Sequence, residues 1–397
     1  MMLFESGIFT RRENQINKTL GATRRKKTMT HAEAGTDDQL TNDQRIEALH
    51  EELAAHSLGG HWQERERSPA LVPHVWPWEI IYSCLMESGE VIKLGHIDEA
   101  AKRRTVNLVN PATPGRKSTS RTLQMSVQLV KPGEIAECHR HTAAALRFVV
   151  EGDGTAFSNV EGEQMLMEPN DLVLTPHWTW HDHQNVGTKP VVWLDVLDVH
   201  LTNFLDATIH ENYNDAQDQN GNYFEGATQP IIHEDGYGRQ RYGAVRSRSG
   251  IGTDGRAVPY AYKWRDTLQA LEQMAASGDR DPHDGVLLEY TNPVTGGPTM
   301  PTISCRAQWL APGESTQAHR HTSSTIYHVI QGEGATIVGP EAKGGAEHAW
   351  GLRDCFFVPS MGWHHHINRS KTEPALLFSV TDRPVLESLG LYREEQA

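Results

Sequence analysis

The histidines of this chain occur in short clusters whose spacing suits a metal site. His139 and His141 in ECHRHT are one residue apart, so in a β-strand both side chains project to the same face. His181 in WTWHDH follows about 40 residues later. If that strand faces the same barrel interior, the three imidazoles could share one divalent first-row metal ion and leave coordination positions open. The alternative is an ordinary pair of strand histidines with no metal.

An internal repeat favours the metal site over this alternative. LVKPGEIAECHRHTAAALRFVVEGDG in the first half matches WLAPGESTQAHRHTSSTIYHVIQGEG in the second, and NDLVLTPHWTWHDHQN matches RDCFFVPSMGWHHHIN. The second copy therefore has a candidate metal triad of its own, His319, His321 and His364. We expect two copies of one domain.

Short β-branched runs between turn residues dominate both copies, as in LQMSVQLV, ALRFVVEG and VVWLDVLDV. This pattern predicts an antiparallel sandwich or barrel. The segment WRDTLQALEQMAAS at 264–277 has the apolar spacing of a surface helix. The predicted segments are a disordered polar N-terminal segment 1–45, a helical and extended arm 46–105, a first barrel 106–204, a linker with a helix 205–287 and a second barrel 288–390.

Composition restricts the partners and the compartment. The 397 residues include 37 Lys and Arg against 51 Asp and Glu, a net charge of −14, so the chain is a poor ligand for nucleic acid. No apolar run approaches the roughly 18 residues that a membrane span needs, and no signal peptide is recognisable. The four scattered cysteines read as reduced thiols. We expect a cytoplasmic protein.

The paired histidine motifs resemble those of the cupin family. Glycine, five residues, HxH and a later glycine form the first motif, and proline, four residues, histidine, three residues and asparagine form the second. The resemblance covers both copies and implies an all-β bicupin with some helix, built from two jelly-roll β-barrels. Many metal cupins carry a ligand glutamate after HxH, whereas TAAALR has none and places Arg147 close to that position. Three histidines beside a cation suit an anionic organic substrate.

The stretches HRHTAAALRFVVEGDG, PHVWPW and EYTNPVTGG resemble the gentisate 1,2-dioxygenase group, which includes salicylate and 1-hydroxy-2-naphthoate dioxygenases. The resemblance implies an extradiol-type, homotetrameric oxidoreductase that uses Fe(II) and both atoms of O2. Such an enzyme opens an aromatic ring between the carbons that bear the carboxylate and the hydroxyl. The implied metal ligands are His139, His141 and His181, and the implied substrate-side residues are Arg103, Gln128, Arg147, His183 and Asp195.

Each implied substrate role has an alternative. Arg103 and Arg147 could hold a carboxylate, but Arg147 could equally form a structural ion pair, and Arg104 competes with Arg103 for the inward position. His183 could exchange a proton with the substrate or could merely orient a ligand. Asp195 could cap a turn or pair with an arginine.

The second copy has Tyr327 where the first has Arg147. It keeps candidate metal ligands but lacks that anion clamp. We therefore expect the first barrel to be catalytic and the second to be structural or auxiliary.

Substrate choice depends on few positions. Thr105 and Gln124 stand where the gentisate enzymes carry bulkier residues, which would admit a larger ring. Asp195 favours a substrate with a second ring hydroxyl. Gentisate ranks first, with 1-hydroxy-2-naphthoate and salicylate or a substituted salicylate as alternatives. A non-enzymatic metal-binding or storage bicupin and a decarboxylating or isomerising metal cupin also remain open.

Overall fold

A computed structural model describes residues 41–63, 70–92, 94, 103–243 and 258–397. The predicted disordered segment 1–45 lies outside these residues except for 41–45, where the first helix begins. Residues 41–63 belong to one compact unit and the other described residues to a second. The helices are α1 (Asn42–Ala55), α2 (Trp78–Val91), α3 (Val199–Phe204), α4 (Tyr237–Tyr242), α5 (Trp264–Ser277) and α6 (Arg383–Ser388).

Helix α1 begins with a capping box, in which Thr41 and Gln44 each accept a hydrogen bond from the other's backbone N–H. Helix α5 has the bounds that the apolar spacing predicts, so that prediction is confirmed. Within the described part of the chain, none of the helices is long and apolar enough to cross a membrane.

The second unit consists mainly of antiparallel strands. They are β1 (His74–Trp76), β2 (Thr105–Asn107), β3 (Gln124–Val130), β4 (Ile135–His141), β5 (Ala145–Glu151), β6 (Phe157–Val160), β7 (Glu163–Leu166), β8 (Leu172–Thr175), β9 (His181–Gln184), β10 (Val191–Leu197), β11 (His210–Asn212), β12 (Tyr260–Tyr262), β13 (Val286–Glu289), β14 (Ser304–Leu310), β15 (His319–His321), β16 (Thr325–Gln331), β17 (Gly334–Gly339), β18 (Ala346–Trp350), β19 (Cys355–Val358), β20 (Trp363–Asn368), β21 (Ala375–Thr381) and β22 (Glu394–Gln396).

These strands form two domains of the same design, each with a six-stranded and a five-stranded sheet. The first domain has the sheet orders β12-β8-β5-β10-β3-β2 and β11-β4-β9-β6-β7. The second domain has the orders β1-β19-β16-β21-β14-β13 and β18-β17-β20-β15-β22. The prediction of an all-β chain with some helix and a repeated domain is confirmed.

Edge strands come from segments that the sequence pattern assigns to an arm and a linker. Strand β1, in the predicted arm, pairs with β19 of the second domain. Strands β11 and β12, in the predicted linker, pair with β4 and β8 of the first domain. Strands of three residues show no measurable period, so the sequence pattern did not identify them. The domain boundaries stay a prediction.

The two six-stranded sheets pack against each other through their outer faces. Phe148 of β5 stacks on Phe378 of β21 with ring centroids 4.0 Å apart, and Leu146 and Val150 belong to the same buried cluster. Because side chains alternate along a strand, the residues between them point into the first domain. Arg147 is thereby placed inside.

Candidate metal centre and substrate cavity

Three histidines converge from adjacent strands of the five-stranded sheet of the first domain. Strands β4 and β9 pair so that His139 lies opposite His181, and His141 follows on the same face. One potential ligand atom from each of the three residues lies within 4.8 Å of the other two. The ring centroid of His139 is 4.3 Å from that of His181 and 5.2 Å from that of His141. The predicted triad is assembled in space and has the size of a metal site.

Hydrogen bonds at the far side of two rings orient them toward this centre. His141 Nδ1 donates to the Ala143 carbonyl at 2.7 Å, and His181 Nδ1 donates to the Thr179 carbonyl at 3.0 Å. The Nε2 atom of each ring is thereby left as the lone-pair atom, the usual arrangement for a metal-bound imidazole. Burial lowers the pKa of His141 to about 3, so the ring is neutral at pH 7. These donors fit a divalent first-row metal ion.

Arg103, and not Arg104, faces the triad. Arg103 Nη2 donates to the Glu137 carbonyl at 2.7 Å and contacts His139 Nδ1. Arg104 points away, with Nη1 at 3.0 Å from Glu134 Oε1. Burial and the neighbouring Arg147 lower the pKa of Arg103 to about 10, which leaves its guanidinium charged at neutral pH. The arginine that the resemblance assigns to the substrate is therefore the one beside the metal ligands.

Arg147 and Asp195 form a buried ion pair inside the first domain. Strands β5 and β10 pair these residues directly, and Arg147 Nε lies 3.3 Å from Asp195 Oδ1. Arg147 also contacts the Thr175 hydroxyl. Burial raises the pKa of the Asp195 carboxyl, and the charges of Arg147 and Arg103 oppose this rise. Arg147 and Asp195 thus form the internal ion pair that was the alternative role for each of them, and this pair lies within the candidate site.

His183 has one nitrogen engaged and the other facing the interior. Ser158 Oγ donates to Met167 Sδ at 3.3 Å, so its lone pair accepts from His183 Nδ1 at 2.7 Å. This tautomer leaves Nε2 as a hydrogen-bond acceptor. Burial, together with Arg147, lowers the pKa of His183 well below its usual value, so the imidazole is neutral. A neutral acceptor in this position can take a proton from a bound hydroxyl group.

Buried polar atoms without a hydrogen-bond partner concentrate on the inner face of the first domain. Most buried polar groups in proteins are paired, so such a concentration marks a place for a polar ligand. Three neighbouring strands of the six-stranded sheet, β5, β10 and β3, and β9 of the five-stranded sheet contribute the side chains. Among the residues that the structure describes, these atoms are Gln128 Oε1 and Nε2, His181 Nε2, His183 Nε2 and Trp193 Nε1, together with Arg147 Nε and Asp195 Oδ1, which form an ion pair at 3.3 Å but no hydrogen bond.

His210 was not predicted from the sequence, although it lies beside the triad. Strand β11 places it opposite His141, and its ring stacks on that of His139 with centroids 5.2 Å apart. It comes from the predicted linker and belongs to no motif. A search for further histidines outside the HxH motifs, in segments that could add a strand to the sheet, could have identified it.

Two residues expected to affect the size of the substrate ring lie on β2 and β3. Thr105 of β2 pairs with Gln128. Gln124 lies at the start of β3, and its Oε1 is 3.2 Å from His200 Nε2. A histidine of α3 therefore holds the side chain of Gln124.

The second domain repeats the triad. Potential ligand atoms of His319, His321 and His364 lie within 4.8 Å of one another. Tyr327 occupies the register position of Arg147, and its ring stacks on Phe356 with centroids 4.6 Å apart. The second domain thus has the histidines of the first without its buried arginine on that strand.

Comparisons with known proteins agree with this geometry. The cupin domain model matches residues 126–197 and 308–381. A 5-aminosalicylate 1,2-dioxygenase from a Comamonas species is 39% identical over 88% of this chain and 90% of the relative. A gentisate 1,2-dioxygenase from a Haloferax species is 38% identical over 81% and 87%, and a 1-hydroxy-2-naphthoate 1,2-dioxygenase from a Nocardioides species is 38% identical over 88% and 87%.

Solved structures give the same relationship. The crystal structure of a salicylate 1,2-dioxygenase from Pseudaminobacter salicylatoxidans is similar with a TM-score of 0.76 and 29% identity, over 90% of this chain and 99% of that one. Another structure of that enzyme, of its adducts with gentisate, has a TM-score of 0.76 and 28% identity, over 91% of this chain and 96% of that one. This chain therefore belongs to the bicupin family of ring-cleaving dioxygenases that includes the gentisate, salicylate and 1-hydroxy-2-naphthoate 1,2-dioxygenases.

Proposed function

We propose that this chain is an Fe(II)-dependent gentisate 1,2-dioxygenase, which inserts both atoms of O2 between the carboxyl-bearing and hydroxyl-bearing carbons of the ring. The observation that carries the proposal is the set of unpaired buried polar atoms beside the His139, His141 and His181 triad. Apolar surroundings would suit a neutral aromatic ligand, whereas the side chains beside this triad include donors, acceptors and two guanidinium groups. An ortho-hydroxy aromatic carboxylate offers the matching groups.

Each substrate group has a partner among these residues. Fe(II) bound by the three histidines would supply open coordination positions and the electrons with which O2 is activated. Arg103 and Arg147 would bind the carboxylate, because guanidinium groups pair with carboxylates through charge-assisted hydrogen bonds. Gln128, with both amide atoms free of hydrogen bonds among the described residues, would orient the substrate. His183 Nε2 would accept the proton of the ring hydroxyl.

Gentisate is preferred because it carries a second hydroxyl group. Asp195 Oδ1 lies 3.3 Å from Arg147 Nε as an ion-pair partner but accepts no hydrogen bond among the described residues. A hydroxyl or amino group at ring position 5 could donate to this oxygen, whereas unsubstituted salicylate could not. 5-Aminosalicylate is the substituted salicylate that fits this argument. 1-Hydroxy-2-naphthoate is the alternative favoured by Thr105 and Gln124.

Oxygen uptake tests the proposal. Protein reconstituted with Fe(II) would be given gentisate, salicylate, 5-aminosalicylate and 1-hydroxy-2-naphthoate in parallel, and products would be identified by mass. We expect uptake with gentisate, one O2 per ring opened, and loss of this uptake in His139→Ala. The matched control is His365→Ala, which removes a histidine on the face of β20 opposite to that of its neighbour His364.

The remaining outcomes separate the alternatives. Uptake with another acid of the panel would reassign the substrate within the family. Release of CO2 without O2 uptake would indicate a decarboxylating cupin, and the absence of stoichiometric iron would indicate a storage or ligand-binding bicupin. The last two results would contradict the proposal.

We also propose that the protein is a homotetramer and that it is located in the cytoplasm. Family resemblance supports the tetramer, and the unpaired state of all four cysteines suits a reducing compartment. Light scattering should give about four times the chain mass of 44.4 kDa, and cell fractionation should recover the protein with cytoplasmic markers. A monomeric mass or recovery outside the cytoplasm would contradict this part of the proposal.

A further inference from the structure

We propose that the second domain holds a divalent metal ion of its own at His319, His321 and His364, in surroundings that exclude the anionic aromatic substrate. The metal part is independent of the function proposed above. The exclusion part rests on that function, because it contrasts this site with a first site that binds a carboxylate.

The second triad has nearly the dimensions of the first. The ring centroids of His319 and His364 are 4.3 Å apart, the same separation as that of the corresponding pair in the first domain. The centroid of His321 lies 5.6 Å from that of His319 and 5.2 Å from that of His364. All three histidines are buried. If the spacing of the first triad allows it to hold a metal ion, the spacing of the second triad allows the same.

The hydrogen bonds that orient the rings are also repeated. His321 Nδ1 donates to the Ser323 carbonyl at 2.8 Å, and His364 Nδ1 donates to the Gly362 carbonyl at 3.0 Å. Each ring thus directs Nε2 inward. The Nε2 atoms of His364 and of the neighbouring His366 are buried without a hydrogen-bond partner among the described residues. Burying such atoms unpaired is costly, and a metal ion at the triad would satisfy His364.

The charges around the second triad differ from those around the first. His283 takes the role of Arg103: its Nδ1 is 3.3 Å from the Gln317 carbonyl and its ring 5.4 Å from that of His319. Arg103 donates to the corresponding carbonyl of Glu137 in the first domain. A charged guanidinium beside the ligands is thereby replaced by an imidazole.

Carboxylates of the second domain lie near its triad. Strand β22 places Glu394 opposite His321, the position that β11 gives to His210 opposite His141. Tyr392 donates a hydrogen bond to Glu394 Oε2 at 2.7 Å. The backbone carbonyl of Asp284 accepts from Gln308 inside the domain. Burial raises the pKa of the Asp284 carboxyl, and the nearby Arg306 and His364 oppose this rise.

The balance of charge follows from these residues. Near the first triad, the described residues place two guanidinium groups, Arg103 and Arg147, and two carboxylates, Asp195 and Glu137. Near the second triad, they place one guanidinium group, Arg306, and three carboxylates, Asp281, Asp284 and Glu394. An excess of negative charge attracts a metal cation and repels an aromatic carboxylate. The second site is therefore suited to a metal ion without that substrate.

Metal stoichiometry tests the first part of the proposal. Metal-free protein would be reconstituted with Co(II), desalted and analysed by plasma mass spectrometry. We expect two ions per chain in the unchanged protein and in the control His365→Ala, and one ion in either His181→Ala or His364→Ala. One ion per chain in the unchanged protein, with no loss in His364→Ala, would overturn the proposal. An unchanged melting temperature in each variant would show that the ion is lost because a ligand is missing and not because the chain misfolds. His321→Gln, which removes another ligand of the second triad, should lose the same ion.

Visible absorption of the bound Co(II) tests the second part. Cobalt in His364→Ala occupies the first site, and its spectrum should change when salicylate is added. Cobalt in His181→Ala occupies the second site, and its spectrum should stay the same. A salicylate-dependent change in His181→Ala would overturn the exclusion. A first site that responds to neither salicylate nor gentisate would instead contradict the proposed function while leaving the stoichiometry result intact.

Discussion

The two domains share their metal-ligand geometry and differ in the residues at one level of the six-stranded sheet. Each domain holds three histidines on two neighbouring strands, with the first and third rings 4.3 Å apart. At the level facing the triad, paired strands bring together Ser126, Asp195 and Arg147 in the first domain and Arg306, Ser379 and Tyr327 in the second. The arginine thus lies on a different strand in each domain.

This difference separates two properties of the fold. The ligand triad depends on strand alternation and on the pairing of two strands, which the repeat keeps in both copies. Binding of an organic acid depends on a few positions of the opposing sheet, which have diverged. One copy can therefore lose the residues proposed to bind substrate while it keeps the triad geometry that could hold a metal ion.

The largest expected effect is on oxygen uptake, which should depend on the first triad far more than on the second. His181→Ala should lower oxygen uptake by about a thousandfold or more, because a bound metal contributes several kcal/mol to lowering the barrier. His319→Ala should lower it by less than about tenfold, since its site binds no substrate. Turnover at saturating substrate measures both. Loss of activity in His319→Ala with the first metal retained would contradict the assignment of catalysis to the first domain.

The next effect compares the two histidines that follow the third ligand. His183→Asn should lower kcat by about a hundredfold with little change in KM, because general base catalysis contributes at least that factor. His366→Asn in the second domain should change kcat by less than about threefold, as expected for a distant site. The pH dependence of kcat gives a second readout. An unchanged pH profile in His183→Asn would indicate that His183 only positions its neighbours.

A smaller effect compares Arg147 with Tyr327. Arg147→Lys keeps the charge but loses the planar, bidentate donor, and should lower kcat/KM by about tenfold, chiefly through KM. Tyr327→Phe, at the same register position in the second domain, should leave kcat/KM within about twofold. Steady-state kinetics of the two variants measure both changes in kcat/KM. Equal effects of the two substitutions would show that the two domains contribute equally to substrate binding.

The smallest effect is on the stability of the metal-free protein. Burial lowers the pKa of His141 to about 3 and burial together with nearby groups lowers those of His319 and His364 to about 4. Between pH 6.5 and 4 the unfolded chain binds protons that the folded chain does not, so stability should fall as the pH falls. Melting temperatures of metal-free protein should drop by several degrees over this range. His141→Gln and His364→Gln should each reduce the drop; a drop unchanged in both would contradict the argument.

Much of the candidate site followed from sequence because its spacing is local. His139 and His141 share a face by strand alternation alone, and the repeat supplied the third ligand. The choice between Arg103 and Arg104 depends on how one short strand docks, which no local pattern encodes, so only the resemblance favoured Arg103. His210 and Glu394 lie on strands, and His283 lies in a turn, that are distant in sequence from the triads.

The fold was predictable to the same degree. The long strands carry β-branched runs between turns, and the helix at 264–277 carries its own period, so both were identified. Strands β1, β11 and β12 have three residues each and form only because a sheet edge is there to pair with. Their existence is a property of the assembled domains rather than of their own residues.

The pairing of β1 with β19 makes the two domains difficult to separate. Strand β1 precedes the first domain in the chain yet completes a sheet of the second, where Trp76 lies opposite Cys355. A gene cut between the two domains would give a C-terminal product with the edge of β19 exposed, and an open edge invites aggregation. Co-expression of the two halves could restore the missing strand. The second domain is therefore not separable from this chain by a single cut between the two domains.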